Sequence, residues 1–337
     1  MAETPLVTVL MPVYNAEDFV HGAVQSILDQ TYPNLELLII NDGSTDKSAE
    51  IIRSYEDSRI QYVENDNNLR LIATLNKGLK LARGKYIARM DADDVAFPDR
   101  LQEQVTFMEA NPEVGVCGTW YEAFGSKNSI VRYPTDHNAI KYMSLYQCPF
   151  CHPTIMFRTS VITDNQIEFD SDYPHAEDYE LWGRLSDLCQ LANLPKVLLR
   201  YRLHDSNISK LENSTQVRNS NRIKASLFKQ IDISVSEDDL GLFEKMNHLF
   251  RTLTLTELVR IGAILCELET ANRKSHYLDQ DWALRTVKLK WFDTCSNHSY
   301  YGLDVWKLYW SKPNLRYSWT KLPLIMKLLV KTIIKKR

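Results

Sequence analysis

Two periods alternate along the first hundred residues. The run "LVTVLMPVY" is continuously apolar and strand-length, and "AEDFVHGAVQSILDQ" then places Phe19, Val20, Ala23, Val24 and Ile27 at helical spacing. "LELLII" predicts a second strand ending at Asn41-Asp42-Gly43, and "KSAEIIRSYED" a helix capped from Ser44, Thr45 or Asp46. "RIQYVEN" predicts a third strand, "LIATLNKGLKLARG" a helix stopped by Gly84, and "KYIARM" a fourth strand. Such regular alternation predicts an α/β fold with a mostly parallel sheet covered on both faces.

From about Pro98 the pattern loosens. "RLQEQVTFMEANPE" predicts a helix, "VGVCGTWYEAF" and "HPTIMFRTSVI" strands, "EDYELWGRLSDL" a helix and "KVLLRYRLH" an alternating strand. The polar stretch "DSNISKLENSTQVRNSN" marks a boundary near residue 210, beyond which the chain reads as helical, interrupted by "SKPN" and Pro323. The expected organisation is a catalytic domain over 1–210, with halves of about 1–97 and 98–210, and a helical extension over 211–337.

A parallel sheet places its ligand crevice beyond the carboxyl ends of its strands. Here those ends carry Pro12-Val13-Tyr14-Asn15, Asn41-Asp42-Gly43, Asn65 to Asn68, and Asp91-Ala92-Asp93-Asp94. Three acids within four positions repel one another unless a cation meets them. Carboxylates two apart can close on a divalent ion whose shell is completed by water and phosphate oxygens. Asp42 could accept hydrogen bonds from a base or ribose. Neither a lysine-bearing phosphate loop nor a G-x-G-x-x-G after the first strand is present, which argues against a P-loop ATPase and a Rossmann dehydrogenase. Capping of the helix near Pro98 is the plain alternative for Asp93 and Asp94, and Asp94 is left to that role.

Composition narrows the partners. The chain has 337 residues, 44% hydrophobic and 25% charged, with a net charge of -3 that gives no general attraction to nucleic acid. The N-terminus lacks a basic leader and cleavage site, and no run of eighteen apolar residues occurs, so a cytoplasmic protein without spanning helices is expected. Six cysteines in such a chain should be reduced thiols, and the sequons at Asn207, Asn213 and Asn297 chance matches. "CPFCH" (Cys148 to His152) has haem-attachment spacing, but that chemistry needs export, so core or loop thiols beside a positioned histidine are preferred.

The segments "MPVYNAEDFVHGAVQSILDQTYPNLELLIINDGSTD", "LARGKYIARMDADD", "HAEDYELWGRL" and "YRLH" together resemble an inverting family 2 glycosyltransferase of the GT-A type, from about residue 6 to about 205. The resemblance implies a sugar-nucleotide donor, commonly UDP-linked, a glycan or lipid-linked acceptor, and manganese or magnesium as cofactor. It implies that Pro12 and Tyr14 line the nucleotide pocket and that Asp42 bonds the uracil. Asn76 and Arg83 resemble positions supporting the nucleotide or the sheet edge. Asp91 would reach the ribose or a metal-bound water, Asp93 the metal, and His204 the metal or pyrophosphate. Asp178 would be the catalytic base, with Glu177 beside it as a candidate contact to the acceptor. One departure is Arg70, where many relatives have glycine, which puts the loop's donor contacts in question.

The residues agree with this where they can be read independently. In "LLRYRLH", Arg200, Arg202 and His204 share one face of the strand, placed to stabilise a leaving diphosphate. Trp182 lies four residues after Asp178 on the same helix face, with core packing preferred over contact with the acceptor; for His152, contact with an acceptor and plain packing stand equal. The main rivals are a haloacid-dehalogenase-like phosphatase, whose D-x-D-x-[TV] pattern Asp91 to Val95 fits although no Gly-Asp dipeptide follows, and a non-catalytic sugar-nucleotide binder.

The tail has its own character. From Val305 to Arg337 there are nine Lys or Arg and no acid. "LPLIMKLLVKTIIKKR" would stack Lys327, Lys331 and Lys335 on a helix otherwise apolar, with Trp306, Tyr309, Trp310, Tyr317 and Trp319 upstream. That pattern predicts a helix in a membrane surface; docking on the protein's own core or on a second subunit is the alternative.

Overall fold

A computed structural model describes residues 4–204, 213–247, 252–317 and 321–334. They form two compact units, one of Met1–Ile140 with Cys148–Ser220 and one of Lys141–Gln147 with Asn221–Arg337. Lys335, Trp319 and Asn207 lie outside the described residues.

The first unit is built on a nine-stranded sheet. Strands β1 (Val7–Val13) and β2 (Leu35–Asn41) are buried at every position, as their unbroken apolar runs require. β3 (Ile60–Glu64) is only half-buried because it forms an edge. β4 (Tyr86–Arg89) pairs with β1, and all pairings among β1 to β4 are parallel. Helices α1 (Val20–Leu28), α2 (Ser48–Arg53) and α3 (Leu71–Leu81) connect them.

Beyond β4, where the sequence pattern also loosens, the sheet is mixed. It continues through β8 (Met156–Arg158), β6 (Val114–Gly125), β9 (Gln190–Leu203) and β5 (Val95–Ala96), with the short β7 (Ser129–Val131) on β6. β8 runs antiparallel between β4 and β6, whereas β9 runs parallel to β6. Helices α4 (Arg100–Ala110), α6 (Thr159–Asp164) and α7 (Glu177–Leu185) complete this region, and α5 (His137–Ser144) is divided after Ile140 between the two units.

The capping expectations divide. Asp46 Oδ1 accepts the N–H of Ser48, the first residue of α2, at 3.0 Å, while its Oδ2 accepts the Glu17 N–H and Ser44 Oγ the Asn15 N–H, each at 3.0 Å. Asp46 thus serves the start of α2 and, with Ser44, ties the first rim loop to the second. Helix α4 begins at Arg100 with Asp99 at its N-cap, and β5 separates it from Asp93 and Asp94, so neither caps it.

Further helices follow: α8 (Asn213–Gln230), α9 (Glu237–Asn247), α10 (Leu255–Ser275), α11 (Gln280–Asn297), α12 (Leu303–Trp310) and α13 (Leu322–Ile334). The first unit extends past residue 210 to Ser220. The physical reason is that Gln216 and Asn219 of α8 donate to the His175 and Pro174 carbonyls, at 3.1 and 2.8 Å. The second unit is helical among the described residues. α10 opens with a capping box in which Thr254 and Glu257 satisfy each other's backbone N–H groups.

Candidate active site

β4 ends at Arg89, and the chain immediately turns through Asp91, Asp93 and Asp94. A carboxylate oxygen from each lies within 4.8 Å of the others. Three devices hold this arrangement. Arg89, itself buried, pairs with the Asp91 carboxylate. His204 Nε2 lies 2.9 Å from Asp93 Oδ2. Asp94 Oδ1 accepts the Arg202 N–H at 2.8 Å, and Arg202 Nε donates to the Asp93 carbonyl at 2.8 Å. The sheet explains these meetings: β5 pairs antiparallel with β9, Val95 opposite Arg200, so the acids preceding β5 meet the residues ending β9.

Asp94 was missed from sequence because the capping explanation absorbed it. It is 1% exposed, and its Oδ2 is buried without a hydrogen-bond partner among the described residues. Burial, then the charges of Asp91 and Asp93, pushes its carboxyl well above the usual range. Asp91 is also raised by burial, with Arg89 opposing. An orphaned carboxylate oxygen among hard oxygen donors beside an imidazole fits a divalent cation such as manganese or magnesium.

Of the three residues expected on one face of β9, Arg202 and His204 join the acids. Arg200 pairs with Glu122 at 3.2 Å and stacks on Phe124. Phe19, which the sequence pattern placed only on the buried face of a helix, lies 5.0 Å from the His204 ring and 4.9 Å from the Arg202 guanidinium.

Glu177 and Asp178 open α7. Asp178 Oδ1 accepts the Tyr179 N–H at 2.7 Å, and the Cys148 thiol lies 3.8 Å from Oδ2. Burial pushes the Asp178 carboxyl up to about 6, against the lowering effects of that N–H and of the Arg89 charge. Glu177 is raised to about 7 by burial and then by Asp178. The turn before them contains His175 at φ 65° and is held by its hydrogen bonds from α8. Both are protein groups tuned toward neutrality, where a general base operates best.

The surrounding assignments divide. His152 stands between Phe169 and Trp182, at 5.5 and 6.0 Å between ring centroids. Its Nε2 is buried without a partner among the described residues, and burial holds the ring neutral. Trp182 is wholly buried against Phe150 and Phe157, which leaves no surface for an acceptor to touch.

At the nucleotide-side rim, Pro12 is buried within β1 and Tyr14 is exposed just beyond it. Asp42 is buried, and its Oδ1 accepts from the Asn65 amide at 2.7 Å and the Leu69 N–H at 2.9 Å. Asp42 thus shapes the β3–α3 loop. Gly43 has φ 70°, and a Cβ there would meet the Asn67 carbonyl carbon at 2.7 Å, so this turn requires glycine.

Asn76 and Arg83, expected to support the nucleotide or the sheet edge, make contacts within the protein. The Asn76 amide exchanges two hydrogen bonds with the Phe169 backbone, at 2.8 and 2.9 Å, and clamps α3 to that segment. Arg83 pairs with Glu36 near the start of β2, and Thr8 near the start of β1 bonds Glu36. These are the amino ends of the parallel strands, about 20 Å from their carboxyl ends by strand rise.

A parallel half-sheet joined to a mixed half, with an acid cluster after the fourth strand and a tuned carboxylate pair on a later helix, defines a GT-A transferase. The chain belongs to glycosyltransferase family 2: the profile described as glycosyl transferase family 2 matches residues 8–164. A Haemophilus influenzae relative known as an uncharacterized glycosyltransferase is 38% identical over 237 residues, 66% of this chain and 73% of that protein. The Escherichia coli enzyme WfaP, a UDP-Glc:alpha-D-GlcNAc-diphosphoundecaprenol beta-1,3-glucosyltransferase, is 32% identical over 65% of this chain and 86% of its own. The solved mannosyltransferase PcManGT from Pyrobaculum calidifontis, in complex with GDP-Man and Mn2+, shares the fold at a TM-score of 0.51 and 18% identity. That likeness covers 100% of this chain and 89% of that one. Membership replaces the phosphatase alternative, whose nucleophile belongs on a first strand and not after a fourth.

Proposed function

We propose that this enzyme transfers a sugar from a UDP-linked donor to a hydroxyl of a lipid-linked or oligosaccharide acceptor, with inversion at the anomeric carbon. The observation carrying the proposal is the pair of acidic clusters: Asp91, Asp93 and Asp94 on one side, Glu177 and Asp178 on the other. The WfaP relative supports a UDP donor and a lipid-diphosphate acceptor, and the PcManGT complex supports a divalent cation.

Asp93 and Asp94, with His204 against Asp93 and Asp91 held by Arg89, would hold the cation, manganese or magnesium. When bound, it supplies charge neutralisation to the donor diphosphate. Arg202 sits at the same end of β9 and adds positive charge where the leaving group gains negative charge. Tyr14 and the loop shaped by Asp42 face the nucleoside, while Asn76 and Arg83 support the sheet from elsewhere.

Asp178 takes the proton of the acceptor hydroxyl as that oxygen attacks the sugar. A direct displacement needs one base and no carboxylate nucleophile, so a single tuned aspartate suffices for inversion. Glu177 stands beside Asp178 at the start of α7, toward the acceptor, and the neutral ring of His152 packs against Phe169 and Trp182. Because the proposed acceptor is lipid-linked, the enzyme works as a peripheral protein at the cytoplasmic membrane face. No described helix is long and apolar enough to cross a membrane.

Asp178→Asn tests the assignment. Nucleotide release should fall by roughly 10²–10⁴ with manganese present, while UDP affinity, read by calorimetry, stays unchanged. Undiminished turnover would overturn the base assignment, and turnover unaffected by chelator would overturn the metal.

A further inference from the structure

A peripheral enzyme acting on a lipid-linked acceptor needs a surface that meets the lipid. Resting on that reading of the enzyme, we propose that the outward face of α13 lies in the interface of an anionic bilayer. α13 has two apolar faces. The inner one buries Ile325, Leu328 and Thr332, and the Lys331 ammonium donates to Ser296 Oγ at 2.9 Å. The terminal helix therefore does dock on its own unit, yet docking uses only one stripe.

The outer face carries Met326, Val330, Ile333 and Ile334, exposed by 46, 49, 63 and 57%. At 3.6 residues per turn these four fall within an arc of roughly 100°, the width of a complete apolar stripe. Lys327 is exposed at its edge. A helix whose only task was to close the unit would be polar there.

Charge selects the occupant. Nine basic residues and no acid between Val305 and Arg337 oppose self-association and favour an anionic surface. Size agrees: four partly exposed side chains offer a few hundred Å² at most, well below the about 800 Å² that each partner buries in a stable protein interface. Trp306 and Trp310 are each only partly buried, and Arg316 lies 4.9 Å over the Trp310 ring; aromatic and basic groups so combined suit the head-group level.

The test is flotation of the purified full chain with phosphatidylcholine vesicles, with and without phosphatidylglycerol. The wild type should float with anionic vesicles, at least about tenfold less without phosphatidylglycerol, and less at high salt. The variant carrying Met326→Glu, Val330→Glu and Ile333→Glu should lose flotation while keeping its melting temperature and its nucleotide release with a water-soluble acceptor. All three positions are exposed, so folding should survive. Undiminished flotation of the triple variant would overturn the proposal. So would a wild type that ignores vesicles but dimerises in light scattering through this face. Failure of the transferase reading shows instead as turnover retained in Asp178→Asn, which leaves flotation unaffected.

Discussion

Arg89 is the residue on which both acidic clusters depend. Its guanidinium pairs with Asp91, and its charge lowers the proton affinity of Glu177 and Asp178 and disfavours protonation of His152. Its Nε has no hydrogen-bond partner among the described residues. Glu177, Cys148, Cys151 and Tyr133 also act electrostatically with Asp178, yet none of them brings a positive charge. Removing the cation by Arg89→Met should therefore raise the Asp178 pKa further. The acidic limb of the kcat profile should move to higher pH, so that turnover falls at pH 7 and recovers toward pH 9. Arg89→Lys keeps the charge and should keep the limb near its wild-type position. A uniform loss at every pH would mean that Arg89 merely supports the fold. Nothing in the sequence pattern marked this residue, because "KYIARM" reads as one buried strand and its single arginine offers no periodic signal.

At the scale of elements, the strands and helices through β4 were legible because each apolar run has a distinct period and each ends in polar turn residues. The mixed half of the sheet was less so. β5 has only two residues, and its pairing with β9 joins positions a hundred apart, which no local pattern reveals. That pairing brings His204 to Asp93, so the acid cluster was legible as a motif while its complete set was not. Helix caps were legible only in part for a related reason: Asp46 does meet the first N–H of α2, whereas Ser44 and Asp94, equally good cap formers, are used by the first rim loop and by β9. The glycine-to-arginine departure does have a structural consequence. Arg70, just before α3, adopts φ 70° and ψ 162°, a region almost reserved for glycine. Relief of strain worth about 1–3 kcal/mol, less the entropy that glycine gains in the unfolded chain, predicts that Arg70→Gly stabilises by about 1 kcal/mol. A denaturant melt checks it, and a lowered midpoint would show that the arginine side chain contributes more than its backbone costs.

For the whole molecule, the same groups that prepare catalysis set how stability responds to pH. Glu177 and Asp178 bind protons more tightly folded than unfolded, with folded pKa values of about 7 and about 6 against the ordinary 4.5 and 3.8. Between pH 4 and 7 the native state thus holds more protons, and for these groups stability falls as pH rises. His152 acts in the opposite sense, since burial holds it neutral and the unfolded chain takes up its proton first as pH falls. A simple melting curve against pH would mix the two. Comparison with Glu177→Gln separates them, because His152 is common to both proteins. The variant replaces a buried carboxylate, ionised at pH 8, by a neutral group of the same shape. It should melt higher than the wild type at pH 8, and the gap should shrink as pH is lowered toward 5 and the wild-type glutamate becomes protonated. A gap independent of pH would mean that Glu177 is not held near neutrality by its burial beside Asp178. The carboxylate pair would then lack the electrostatic tension that prepares Asp178 to accept a proton.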